Sequence, residues 1–158
     1  MEDRNLKEIL LIEDNVLDAR MTQDALKACT IRNNVSVVND GLDAMDFLHG
    51  TGRYKGAPRP DLILLDLNLP GKDGRQILSE IKSDAKLKRI PVVVMSTSQA
   101  TEDILQAYDL NANSYVSKPV ELDSFMSAVD AIQHFWLKTA TLPGREQLIR
   151  EIPNKPVL

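Results

Sequence analysis

The chain has 158 residues, with 19 Lys and Arg against 23 Asp and Glu, a formal charge of −4 at pH 7. That length suits one domain able to bury roughly 68–70% of its unfolded surface, and the acidic balance argues against nucleic acid or an anionic membrane as a partner, because neutralising phosphates takes a basic face. A single cysteine, Cys29, excludes an internal disulfide framework and a cysteine zinc cluster, and fits a reducing cytoplasm.

The chain opens on MEDRNLKEILLIEDN, with acids where an export signal has its apolar stretch, so no signal peptide is expected. No apolar run approaches the ~20 residues of a membrane helix. The run at 9–12 reads as a first buried strand, ending in Glu13-Asp14, with a helix predicted over 15–29. A second run at 35–38 precedes a helix over 41–49 and a long loop over 50–60 (GTGRYKGAPRP), whose basic side chains read as solvated. The third strand, 62–65, runs into Asp66, and a helix over 73–84 follows. The fourth, 92–95, leads into Ser96-Thr97-Ser98 and a helix over 101–110. The short fifth, 115–116, leads into Ser117-Lys118-Pro119 and a last helix over 121–140. Runs this dense, without alternation, are expected of strands covered on both faces. Five strand-then-helix units therefore predict an α/β domain: a parallel sheet with helices on both sides.

In the last helix, Leu122, Phe125, Met126, Val129, Ile132, Trp136 and Leu137 form one stripe that should face the sheet. Phe135 falls on the outer side with Ser124, Ala128 and Ala131, the kind of patch a partner covers. Leu142-Pro143-Gly144 then breaks the pattern, and 145–152 (REQLIREI) sets Leu148, Ile149 and Ile152 on one face of a helix too short to stand alone. It must dock on its own domain, dock on a second subunit, or stay disordered. The expected division is a domain over 1–140 and an extension over 141–158, with Phe135, Trp136 and the Leu148/Ile149/Ile152 stripe as the candidate self-association surface.

In parallel sheets, ligands sit outside the carboxyl ends of the strands. If the first and third strands are central, Glu13, Asp14 and Asp66 converge there. Two like charges ~4 Å apart repel by about 4 kcal/mol at an effective dielectric of 20, so three carboxylates need a cation or a raised pKa. An all-oxygen, acid-rich site selects a hard divalent ion such as magnesium. Ser96 and Lys118 bring a hydroxyl and an ammonium from two further strand ends. Together these groups are what aspartyl-phosphate chemistry requires. A carboxylate attacks phosphorus, a metal and a lysine offset the charge on the phosphoryl oxygens, and a hydroxyl reports the product.

Four segments carry a family resemblance: LLIEDN (10–15), DLILLDLNLPGKDG (61–74), PVVVMSTS (91–98) and SYVSKP (114–119). Over about residues 7–140 the chain resembles a response-regulator receiver domain, the phosphoacceptor half of bacterial two-component signalling. The resemblance implies a doubly wound, flavodoxin-like (βα)5 fold with strand order 2-1-3-4-5. It implies Asp66 as phosphoacceptor, and Glu13, Asp14, Asp66 and the backbone carbonyl of Asn68 as magnesium ligands. Ser96 stands at the switch hydroxyl, Thr97 at the small-residue position beside it, Tyr115 at the rotating aromatic, and Lys118 at the phosphate-pairing lysine. Glu13 replaces the commoner Asp and Ser96 the commoner Thr, and both keep the needed group. Asn68 and Ser98 are expected to flank the path of the hydrolytic water.

The stretches GRYKGAPRPDLILLDLNLPGKDGR, KLKRIPVVVMSTS and QHFWLKTATLP are similar, more narrowly, to single-domain regulators that partner bacterial phytochromes. In that group a C-terminal extension commonly contributes to a homodimer. The implied partners are a sensor histidine kinase, in this group a phytochrome, and a second copy of the chain. The implied chemistry goes no further than the protein's own phosphorylation and dephosphorylation.

A haloacid-dehalogenase-type phosphatase needs a second Asp two residues after its nucleophile, where Asn68 cannot titrate. A dinucleotide fold needs a Gly-rich first turn, where Glu13-Asp14-Asn15-Val16 stands. A pseudo-receiver acting as a constitutive dimerisation or scaffold module remains the second reading. The complete set Asp66, Asp14, Ser96 and Lys118 favours the phosphorylatable switch, since a scaffold has no reason to keep buried charge. With so few residues after 140, the signal is expected to leave by protein contact or onward phosphorelay.

Overall fold

The computed structural model describes residues 6–143; Leu148, Ile149 and Ile152 lie outside the described residues. Five strands, β1 (Lys7–Ile12), β2 (Asn33–Val38), β3 (Leu62–Leu65), β4 (Val92–Ser96) and β5 (Ser114–Ser117), form one sheet in the order 2-1-3-4-5. All four pairings are parallel. Each strand is followed by a helix: α1 (Val16–Lys27), α2 (Gly41–His49), α3 (Gly74–Ser83), α4 (Thr101–Asp109) and α5 (Leu122–Gln133). The predicted fold class and strand order are those observed.

The pleat sorts the apolar runs onto two cores. Leu10, Ile12, Ile63, Leu65, Val92 and Val94 pack with α2, α3 and α4, while Ile9, Leu11, Leu62, Leu64, Val93 and Met95 pack with α1 and α5. β3 and β4 are buried along their whole length, which explains why their sequences show no alternation. β1 and β2 start two residues before the apolar runs, at Lys7 and Asn33, because pairing in register continues past the apolar side chains into the polar pairs Glu8–Asn34 and Lys7–Asn33.

The helix starts are set by short polar side chains. Asn15 accepts the Asp18 N–H, Asp40 accepts the Asp43 N–H, and Asp73 forms a reciprocal capping box with Gln76. α2 stops on Gly50, whose φ of 65° is the left-handed conformation that closes a helix. α4 differs at its start, where the N-cap residue is Ala100 and no side chain caps the helix.

The last helix differs from its predicted form in two ways. Its α-helical part ends at Gln133 and continues as a π-helical turn, His134–Thr139. Leu122, expected on the inward stripe, is 57% exposed, two residues after fully exposed Val120. Phe125, Val129, Ile132 and Leu137 do face the sheet, and Met126 and Trp136 are half-buried against the same core. Phe135 is half-exposed, its ring edge-on to Trp136 at 5.0 Å.

Candidate functional site

The order 2-1-3-4-5 places β1 and β3 side by side at the point where the winding reverses direction. Ile12 pairs with Leu65, so the next residues, Glu13 and Asp66, leave the sheet together. The Asp66 N–H still donates to the Ile12 carbonyl at 3.0 Å, and the Glu13 N–H to that of Val38 at 3.0 Å. Glu13 and Asp66 are buried, and Asp14 is exposed. One oxygen from each of Glu13, Asp14 and Asp66 lies within 4.8 Å of the others. The donor set is all carboxylate, compact, and open on the Asp14 side, which fits a hard divalent cation that keeps water ligands.

Lys118 reaches this cluster from β5. Its backbone N–H extends the β4–β5 pairing by donating to the Ser96 carbonyl at 2.7 Å. Its ammonium donates to Asp66 Oδ2 at 3.1 Å, to Asp18 Oδ2 at 3.0 Å, and to Glu13. The other Asp66 oxygen, Oδ1, accepts the Asn68 N–H at 3.0 Å. The acceptor carboxylate is therefore held at both oxygens, and Asn68 is brought against it through its backbone.

The electrostatics record the crowding. Burial, and then the hydrogen bond shared with Asp66, push the Glu13 carboxyl up to about 8, against the pull of Lys118. Burial alone would lower Lys118, but its hydrogen bond to Glu13 and the Asp66 charge reverse this and leave it above the usual lysine value.

Ser96 is buried at the end of β4, and its Oγ accepts the Ser98 N–H at 3.2 Å. Thr97, beside it, is exposed. Tyr115 is half-buried, packed against the α2–α4 side of the core, and its hydroxyl donates to the Ser98 carbonyl at 2.8 Å. Glu13, Asp14, Asp66, Asn68, Ser96 and Lys118 thus come from four strand ends to one edge of the sheet, with Tyr115 tied to the loop that carries Ser96. Phe135 and Trp136 lie elsewhere, at the end of the α5 segment.

Asp18 went unrecognised in the sequence. It sits in the first turn of α1, where an acid ordinarily answers the helix dipole. Its one signal is its place four residues after Asp14, one helical turn on. The contacts of Ser98 with Asp103, and of Asp103 with Arg75, were likewise invisible.

The family described as response regulator receiver domain matches residues 9–130. The response regulator Rcp1 of Synechocystis sp. is 50% identical over 138 residues, covering 87% of this chain and 94% of that protein. A crystal structure of the phosphorylated cyanobacterial phytochrome response regulator RcpA superposes with a TM-score of 0.84 at 54% identity, over 87% of this chain and 98% of that one. The Mn(2+)-bound form of Rcp1 also gives 0.84, at 50% identity, over 87% and 99%.

Proposed function

Because this chain belongs to the response-regulator receiver family of two-component signalling proteins, which take up a phosphoryl group, we propose that Asp66 is the residue that carries it. The observation that supports this most directly is the Asp66 carboxylate itself: buried, fixed at Oδ1 by the Asn68 N–H and at Oδ2 by Lys118, and flanked by two further acids. We propose magnesium as the working ion, held by Glu13, Asp14, Asp66 and the Asn68 carbonyl. Bound there, it offsets charge on the acceptor and on the phosphoryl oxygens.

The donor is a phosphohistidine of a sensor kinase. An Asp66 oxygen attacks phosphorus in line as the P–N bond breaks, and the imidazole leaves with the bonding pair. Lys118 stays paired with the product, an acyl phosphate that carries more negative charge than the carboxylate it replaces. The Ser96 hydroxyl, on the neighbouring strand end, donates to a phosphoryl oxygen, and the loop bearing Ser98 follows it, together with the Tyr115 side chain of β5 that is hydrogen-bonded to that loop. Signal then leaves through changed protein contacts or onward transfer.

One of the named relatives, RcpA, is a cyanobacterial phytochrome response regulator, and we propose that the kinase here is a bacterial phytochrome acting in the cytoplasm. We propose further that the protein self-associates through Phe135 and the end of the last helix.

Intact-mass measurement with magnesium and acetyl phosphate is the test. One phosphoryl adduct is expected on the wild type and none on Asp66→Ala. An adduct that persists in Asp66→Ala, or never forms on the wild type, would refute the assignment.

A further inference from the structure

The β2–α2 turn touches both halves of the acidic cluster. On one side, the Val38 carbonyl at the end of β2 accepts the Glu13 N–H at 3.0 Å. On the other, Gly41, buried at the start of α2, lies against the backbone of Lys72, in the loop that joins Asp66 to α3. A Cβ on Gly41 would run into the Lys72 carbonyl oxygen and lie 2.5 Å from the Lys72 Cβ. Only Asn39 and Asp40 separate Val38 from Gly41, so the two contacts belong to one short, stiff turn.

Neither wall yields freely. Ala44, Met45, Phe47 and Leu48 hold α2 in the core, and the Asp40 side chain takes the Asp43 N–H at 2.8 Å. The loop is fixed as well. The Asn68 N–H donates to Asp66 Oδ1 at 3.0 Å, the Gly74 N–H donates to the Leu67 carbonyl at 3.1 Å, and Leu69 packs on the same core as α2. A side chain at 41 would therefore leave two ways out. Either the loop moves and takes the Asn68 carbonyl with it, or the start of α2 moves and draws the Val38 carbonyl away from Glu13.

We infer that Gly41 is a positioning residue for the cation site. Having no side chain, it lets α2 seat the Lys72 backbone, which sets Asp66 and the Asn68 carbonyl at their spacing from Glu13. The inference rests on the proposed role of these groups as magnesium ligands. A small ion that demands near-ideal octahedral geometry registers a slight displacement of its ligands as lost affinity.

Magnesium alone, titrated calorimetrically into the full chain, provides the test. Gly41→Ala should weaken its binding by about three- to thirtyfold. Adding Lys72→Gly to Gly41→Ala removes the Lys72 Cβ and frees that stretch of backbone, and should recover part of the loss. Val129→Ala opens a cavity in the core on the other face of the sheet; it should lower thermal stability and leave magnesium affinity at the wild-type value. Coupling is reciprocal, so magnesium should also tighten the start of α2. In the wild type it should slow amide exchange at Asp43 and Ala44, whose N–H groups both bond to Asp40, more than at Leu48 in the same helix. That measurement carries the test if Gly41→Ala does not fold. A merely structural glycine would lower thermal stability and leave magnesium affinity unchanged, which would overturn the inference. So would a double variant that recovers nothing, or equal slowing at Asp43 and Leu48. Asp14→Ala should abolish binding; if it binds as tightly as the wild type, the cation site itself is misassigned and the role of Gly41 falls with it.

Discussion

Pushed up to about 8 by burial and by Asp66, the Glu13 carboxyl keeps a proton in the folded, metal-free protein over a range where the unfolded chain has lost it. Between the ordinary value of 4.5 and about 8 the folded state thus binds more protons than the unfolded one, and stability falls as pH rises. The contribution is complete below the unfolded value and gone above the folded one. With a chelator present, the urea midpoint should drop between about pH 4.5 and about pH 8, and Glu13→Gln should flatten that slope. Divalent ions should bind more tightly as pH rises over the same range, because they displace this proton; calorimetry in buffers of different ionisation enthalpy reads the release. Lys118 is the opposite case. Lys118→Met leaves the buried Asp66 carboxylate without its cation, and should cost about 3–5 kcal/mol in urea unfolding at neutral pH. A midpoint equal to that of the wild type would show that the ammonium is not the compensating charge. Glu13, Asp14, Asp66, Ser96 and Lys118 were all legible in the sequence for one reason: each stands within two residues of the end of an apolar run, where a parallel sheet gathers its ligands. Asp18 was not, because its role depends on a contact with a residue 100 positions away, and an acid in a helix's first turn looks like any other.

At the scale of elements, α3 is seated hard against the backbone of Asp66 and Leu67. A Cβ on Gly74 would lie 2.5 Å from the Asp66 carbonyl oxygen and 2.5 Å from the Leu67 Cα, backbone atoms that can yield only by moving the loop. Gly74→Ala should therefore cost about 1–3 kcal/mol and slow phosphorylation by acetyl phosphate. Asp73→Ala, one residue earlier, removes the capping box and should cost about 0.5–2 kcal/mol with little change in that rate. Equal rates for the two variants would mean that the Gly74 contact does not position Asp66. Strands and helices were readable from their apolar periods, and the edges of β1 and β2 were not, since backbone pairing outlasts the apolar side chains. The π-helical turn after Gln133 was also hidden. A stripe of apolar residues shows that a helix faces a core, and says little about whether one turn within it is widened.

For the molecule as a whole, Phe135 is one of several large apolar side chains that the two cores leave exposed, at 50%. Set over Trp136 at the end of the last helix, it is a compact apolar anchor of the kind that dominates interfaces. Light scattering should give about twice the mass of one chain, and Phe135→Ser should shift the equilibrium toward monomer. A wild type that stays monomeric at high concentration would end the self-association proposal. Net charge and length bounded the answer without pointing to it; the fold class came from the rhythm of the runs, and the chemistry from what stood at their ends.

The salt-bridged cluster also fixes an order in time. Its three acids, at 13, 18 and 66, are all synthesised before Lys118, the cation that holds them. At translation rates of about 5–20 residues per second, the ammonium follows Asp66 by roughly three to ten seconds. Until β5 is made and laid against β4, the carboxylates have no reason to come together and strong reason to stay in water. In chain order, the cation of the cluster arrives after all of the acids it holds.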